Sequence, residues 1–223
     1  MSYQIAIDGP AGAGKSTIAK EIAKKLGFIY VDTGAMYRAM ALYLLRKGIP
    51  TNDPEKISAA SREADITIAY KDGIQQVLLD KENVTAFLRT EEVGNMASVS
   101  SANPDVRKKL VQLQQELASR ENVVMDGRDI GTCVLPKADV KIYLTASTAC
   151  RAKRRYDELT AKGEACDLGV IEADIEKRDH QDMTREHSPL RQAEDAVLLD
   201  SSNLTIQEVT EKILTLVKIS QNS

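Results

Sequence analysis

Gly9-Pro10-Ala11-Gly12-Ala13-Gly14-Lys15-Ser16, followed by Thr17, fits the pattern G-x-x-x-x-G-K-[ST]. Phosphate chemistry explains the spacing. Glycines let the backbone wrap a β-phosphate with successive N–H groups pointing inward, and the following helix N-terminus adds positive partial charge. Lys15 would reach the β/γ oxygens and Ser16 would hold Mg²⁺. The competing reading, a structural glycine turn, loses ground because an apolar run from Tyr3 to Ile7 stands directly before the loop and a helical stripe directly after it. The expectation is a P-loop for ATP. A GTPase would need a base-reading Asn-Lys-x-Asp, and the chain has no Asn-Lys pair.

A second group of residues suits the other half of a phosphoryl transfer. Arg151, Arg154, Arg155, Arg178, Arg185 and Arg191 crowd one stretch of a chain whose net charge is −3. A focused cationic patch on an acidic protein fits a small, multiply charged ligand better than a polymer. Arg151, Arg154 and Arg155 stand at i, i+3 and i+4, and Arg178, Asp182 and Arg185 at i, i+4 and i+7, so each set falls on one helix face. A solvated, salt-bridged surface is the plainer alternative. Asp126-Gly127-Arg128-Asp129 after an apolar strand places another arginine at the carboxyl end of a sheet, where α/β folds bind ligands. Its two aspartates also suit turns or caps.

These residues need a scaffold, and the hydrophobic pattern predicts an α/β one. Strands are expected at Tyr3 to Ile7, Phe28 to Val31, Val123 to Met125, Val140 to Leu144 and Val197 to Leu199. Helical stripes fall at Ile18 to Leu26, stopped by Gly27; at Met36 to Tyr43, stopped by Gly48; at Val106 to Leu117; and at Val209 to Leu216. Strands separated by helices imply a doubly wound parallel sheet with helices on both faces. From Ile66 to Leu88 the period changes to alternation, with Lys71-Asp72-Gly73 as a turn, which predicts a small antiparallel insert. Ala161 to Gly169, with two glycines and several charges, reads as a mobile lid loop, and 221–223 as a frayed tail.

Three motifs in order extend this to a family. Asp32-Thr33-Gly34-Ala35-Met36-Tyr37-Arg38, Asp126-Gly127-Arg128-Asp129 and Arg178-Asp179-His180-Gln181-Asp182-Met183-Thr184-Arg185, behind the P-loop, resemble bacterial cytidylate kinases, P-loop nucleoside monophosphate kinases. The resemblance runs from about Ile5 to Ile213 and includes the antiparallel insert. It implies transfer from ATP, with Mg²⁺, to CMP or dCMP in pyrimidine metabolism. It further implies that Thr33, Arg38, Arg128 and Arg185 hold the acceptor phosphate, Thr33 keeping the hydroxyl where many relatives have serine. Ser98, Arg107 and Asp129 would read the base, and Arg178 and Asp182 would hold the ribose. Gly127 belongs to the acceptor site, and Arg154 to the lid's contacts with the transferring phosphates. Lys15, Arg128, Arg154 and Arg185 form the implied catalytic set. The base assignment has a physical rationale: cytosine offers acceptors at O2 and N3 and an amino donor at C4, matching two donors and a carboxylate. Uracil's O4 would oppose that carboxylate.

The implied organisation is one kinase domain over 1–223: a core of about 1–34, 105–147 and 190–219, an acceptor-binding insert of about 35–104 with its antiparallel part at 64–90, and a lid of about 148–189. Composition agrees with an ordinary globular chain, 43% hydrophobic and 28% charged. No apolar run approaches the ~18 residues of a membrane helix, so a cytoplasmic enzyme without membrane or nucleic-acid partners is expected. Monomer is the default in the absence of a heptad or long apolar stripe. Cys133, Cys150 and Cys166 lack zinc or disulfide spacing and read as packing or surface thiols. His180 and His187 read as surface residues. The alternatives are a kinase for another small acceptor, such as UMP, AMP or shikimate, and a nucleotide-binding regulator without catalysis.

Overall fold

The computed structural model describes residues 2–222, and they fall into two compact units. One comprises 3–30 and 122–222 and contains almost all of a five-stranded sheet. In chain order its strands are β1 (Gln4–Asp8), β2 (Ile29–Asp32), β6 (Val123–Gly127), β7 (Val140–Thr145) and β8 (Val197–Asp200), and in the sheet they lie β2-β6-β1-β7-β8. β1 pairs in parallel with β6 and β7, and β7 with β8. Parallel neighbours buried on both faces explain why these strands read as continuous apolar runs. Ile5, Ile7, Val124, Ile142 and Leu144 from the sheet meet Ile18 and Ile22 of α1 (Lys15–Leu26) and Val209 and Ile213 of α8 (Ile206–Gln221) in one core. Gly27 ends α1 in the left-handed region, at φ 68°, with its N–H on the carbonyl of Ala23, as a glycine stop requires. The expected fraying at 221–223 is not seen through Gln221, which is helical with Asn222 as its cap; Ser223 lies outside the described residues.

The second unit, 31–121 with Ser2, carries the antiparallel insert. β3 (Ile66–Lys71) pairs with β4 (Ile74–Leu79), and β4 with the two-residue β5 (Glu82–Asn83). Asp72 and Gly73 both take positive φ, 54° and 73°, which suits a two-residue hairpin turn. Around the insert stand α2 (Thr33–Arg46), α3 (Pro54–Glu63), α4 (Glu91–Ser100) and α5 (Pro104–Arg120). Met36, Met40, Leu44, Leu88, Met96 and Leu110 are buried.

The remaining helices of the first unit are α6 (Thr148–Ala161) and α7 (Leu168–Thr184). The loop expected over Ala161 to Gly169 is shorter, because Asp167 caps α7 by accepting from the Val170 N–H, which draws Gly169 into the helix. A π-helical turn, Ile130–Val134, follows β6.

Candidate active site

The glycine-rich loop leaves β1 and enters α1. A Cβ on Gly9 would lie 1.9 Å from the carbonyl oxygen of Leu144 on β7, so only glycine lets the chain turn there. Gly14 precedes α1 at φ 91°, another conformation that side chains resist. Two of the loop's carbonyls are tied to side chains: Lys15 Nζ donates to Pro10 O at 2.7 Å, and Arg151 Nη1 to Ala11 O at 2.9 Å. Lys15 is buried, and desolvation followed by the Arg128 charge pushes its ammonium down toward about 7 against the pull of Asp126, Asp8 and Asp182. Thr17 is exposed on the first turn of α1.

Beside the loop, Asp126 is the penultimate residue of β6, in register with Ile7. Its two oxygens accept from Ser16 Oγ and from Tyr30 Oη, each at 2.9 Å. Gly127 follows, and the Arg128 Nε donates to Asp182 Oδ2 on α7 at 2.7 Å. Arg185, just past the end of α7, lies 3.8 Å from Asp182 and 3.5 Å from the buried Asp129. Contacts therefore join the P-loop serine to Asp126, and Arg128, two residues further along the chain, through Asp182 and Arg185 to Asp129. Asp8 supports it from beneath, accepting the Ile130 and Gly131 N–H groups at 2.7 Å each, directly after Asp129.

Not every expected lid residue joins this set. Arg154 turns to Ser201, donating to its carbonyl at 2.7 Å and to its hydroxyl at 3.3 Å, while Arg155 pairs with Glu158 on the surface. Arg178 is exposed on α7. The three arginines of α6 share a helix face by spacing, yet their side chains diverge. The arginines of the 148–189 segment are thus partly structural, partly solvated.

The other expected residues lie in the second unit. Thr33, buried, opens α2, whose first turn is capped by Asp32 accepting from the Ala35 N–H at 2.8 Å. Gln75 of the insert holds the Asp32 backbone at both ends, at 2.8 and 3.3 Å. Arg38 approaches Asp32 at 3.4 Å, and its buried Nε has no hydrogen-bond partner in the structure. Arg107, only 5% exposed, lies 5.5 Å from the Tyr37 ring centroid and donates to Ser101 O at 3.4 Å. Ser98 is exposed on α4.

A family model described as cytidylate kinase matches residues 5–219. The chain belongs to the cytidylate kinase family. The cytidylate kinase of Caldicellulosiruptor saccharolyticus is 55% identical over 212 residues, 95% of this chain and 94% of that one. That of Listeria monocytogenes serotype 4b is 49% identical over 220 residues, covering 98% and 97%. Among solved structures, a gluconokinase from Sinorhizobium meliloti matches with a TM-score of 0.51 at 15% identity, covering 99% of this chain and 94% of its own. A shikimate kinase from Bacteroides thetaiotaomicron matches with 0.51 at 12%, covering 97% and 98%. These two share the fold of P-loop kinases. As a member of this family the chain is an ATP-dependent nucleoside monophosphate kinase that phosphorylates CMP and dCMP. His180 and His187 are exposed, and the three cysteines are free thiols.

Three residues of this candidate site were given no role of their own by the sequence. Asp126 stood within a quoted motif but read equally as a turn residue, and its bond to Ser16 spans 110 positions. Asp8 appeared only as the end of a strand. Arg151 appeared as one of several lid arginines, and only its burial separates it from them.

Proposed function

We infer that the cluster running from Ser16 to Asp129 is where the γ-phosphoryl group of ATP meets the phosphate of CMP or dCMP, giving ADP and CDP or dCDP. The observation that carries this reading is the Arg128–Asp182–Arg185–Asp129 network, joined to the P-loop through Asp126. An acceptor phosphate is already ionised, so no side chain is required as general base. Charge neutralisation is required instead, and arginine forks supply it. Arg128 and Arg185 now face carboxylates, and a phosphate dianion would draw their donors more strongly. Thr33 would donate its hydroxyl, and Arg38, whose buried Nε lacks a partner, fits a side chain kept for an anion.

Ser16 and Asp126 present hard oxygen atoms 2.9 Å apart and suit Mg²⁺. The ion, when bound, offsets charge on the donor phosphates. Lys15 would exchange the Pro10 carbonyl for a phosphate oxygen, and the anion would restore its ammonium form. Arg178 and Asp182 are assigned to the ribose, and Arg154 to the donor phosphates after movement of the 148–189 segment over them, which would exclude water. Action on free nucleotides as a cytoplasmic monomer belongs to the same proposal. The net charge of −3 speaks against a nucleic-acid polymer as partner, and no helix among the described residues is long and apolar enough to cross a membrane.

For the base, Ser98 and Arg107 supply donors and Asp129 an acceptor, the complement of cytosine. Asp129→Ala should lower kcat/KM for CMP roughly ten- to hundredfold while changing UMP little, so that discrimination collapses. Steady-state rates with both acceptors check this. A variant that loses CMP turnover but keeps the wild-type CMP/UMP ratio would remove Asp129 from base reading.

A further inference from the structure

Arg151 is 4% exposed and Asp179 15% exposed, and their side chains meet at 2.7 Å. The guanidinium is almost fully committed to protein acceptors: Nε to Ala146 O at 2.9 Å, Nη1 to Ala11 O at 2.9 Å, and Nη2 to both Thr148 Oγ at 3.1 Å and the Asp179 carboxylate. Four of the five N–H donors of an arginine are thereby directed into the protein, leaving little to offer a phosphate. The P-loop also packs against the same side chain, since a Cβ on Gly12 would sit 3.2 Å from Arg151 Cβ.

The bond to Ala11 has a directional consequence. In a trans peptide the carbonyl and the next N–H point opposite ways, so fixing Ala11 O toward Arg151 turns the Gly12 N–H away from Arg151, to the side on which a P-loop receives its anion. The guanidinium is fixed in turn by Asp179 on α7, whose second carboxylate oxygen is buried without a hydrogen-bond partner and so relies on this pair for compensation. Asp182, one turn further along α7, pairs with Arg128. The same helix thus carries one carboxylate to the α6 arginine that holds the P-loop and another to an arginine of the acceptor cluster.

We propose that Arg151 and Asp179 are a positioning pair that aims the P-loop amides at the donor phosphates and registers α7 to the loop, and that Arg151 does not itself contact the transferring group. The proposal rests on the P-loop being the donor site. It predicts that the two residues act on ATP as one unit, and acceptor binding is affected only secondarily.

The test uses the full chain as Arg151→Lys, Asp179→Asn and the double variant. Each is followed by calorimetric titration with MgATP, by KM for ATP and for CMP with kcat, and by thermal unfolding to fix an assay temperature at which all are folded. Each single change should weaken MgATP binding and raise KM for ATP roughly tenfold or more, with KM for CMP within about twofold of wild type. The double variant should be little worse than Arg151→Lys alone, because both changes remove one interaction. Unchanged ATP binding and KM in variants that are merely less heat-stable would overturn the pair's positioning role. So would a collapse of kcat in Arg151→Lys beside wild-type kinetics in Asp179→Asn, which would make Arg151 a phosphate ligand. A wild-type protein that does not bind MgATP would instead contradict the donor-site reading beneath the proposal.

Discussion

Asp8 and Asp126 sit at the ends of neighbouring parallel strands, yet their surroundings give them different chemistry. Asp126 accepts two hydroxyl hydrogen bonds beside the P-loop, where the proposed function places Mg²⁺. Asp8 is sealed under the turn that follows Asp129. Burial pushes its carboxyl up from 3.8 to about 6, although the amides of Gly131 and Ile130 and the Lys15 charge pull the other way; Asp129 adds to the rise. The sign of the linkage follows. Between about pH 4 and 6 the folded state holds more protons at Asp8 than the unfolded chain, so this residue's contribution to stability is greatest below that window and is lost as pH rises through it. Replacing Asp8 by Asn should remove a component of up to about 1.4 kcal/mol per pH unit from the stability profile across that window. Urea unfolding of both proteins between pH 4 and 7 measures it, and parallel profiles would show that Asp8 titrates normally. A neutral Asn also offers one carbonyl where two amides need acceptors, so the variant should be less stable at the acid end of the range, with the gap to wild type narrowing as pH rises.

Helix α8 shows how an element supports the site without entering it. Thr205 and Glu208 form a reciprocal capping box: the Thr205 hydroxyl accepts from the Glu208 N–H at 3.2 Å, and the Glu208 carboxylate accepts from the Thr205 N–H at 2.8 Å. Thr205→Ala should cost about 1 kcal/mol of stability, read as a lower urea midpoint, with kcat and both KM values unchanged. Lost activity at equal folded fraction would mean that α8 positions more than the core. The elements were legible in the sequence in proportion to the strength of their patterns. The five parallel strands, α1, α2, α5, α8 and the hairpin at Asp72-Gly73 each carried an apolar period or a turn pair. Two helices did not. α3 buries only Ile57 and Ser61, and α4 contains Gly94 and two β-branched valines; their starts are set instead by caps, Asp53 accepting from the Lys56 N–H and Thr90 from the Val93 N–H. The two-residue β5, closed by Asp80 and Lys81 at positive φ, is too short to show alternation at all.

On the scale of the molecule, the sequence named the phosphate loop and the arginine-rich segment because both are local signals, a spacing and a composition. It did not say which arginine touches what. Helical periodicity places Arg151, Arg154 and Arg155 on one face, but a partner such as Ala11 or Ser201 is a property of the folded chain. The same holds for Ser16 with Asp126 and for Asp8 with the turn after Asp129, contacts that tie the ends of neighbouring strands to the segments beside them and span more than a hundred positions in sequence. The folded chain has a P-loop whose Pro10 and Ala11 carbonyls are bonded by Lys15 and Arg151, and a cluster of arginines paired with carboxylates that the proposed function assigns to the acceptor. On the proposed function that arrangement would work by charge placement without a catalytic base, with the acceptor setting its specificity. The measurement that tests it most directly is ADP release from MgATP by the purified protein with CMP, dCMP, UMP, AMP and shikimate, beside a Lys15→Ala control. Turnover with CMP and dCMP should exceed the others by at least roughly a hundredfold and fall by a similar factor in the control. A higher rate with another acceptor, or ATP binding with no acceptor-dependent turnover, would contradict it.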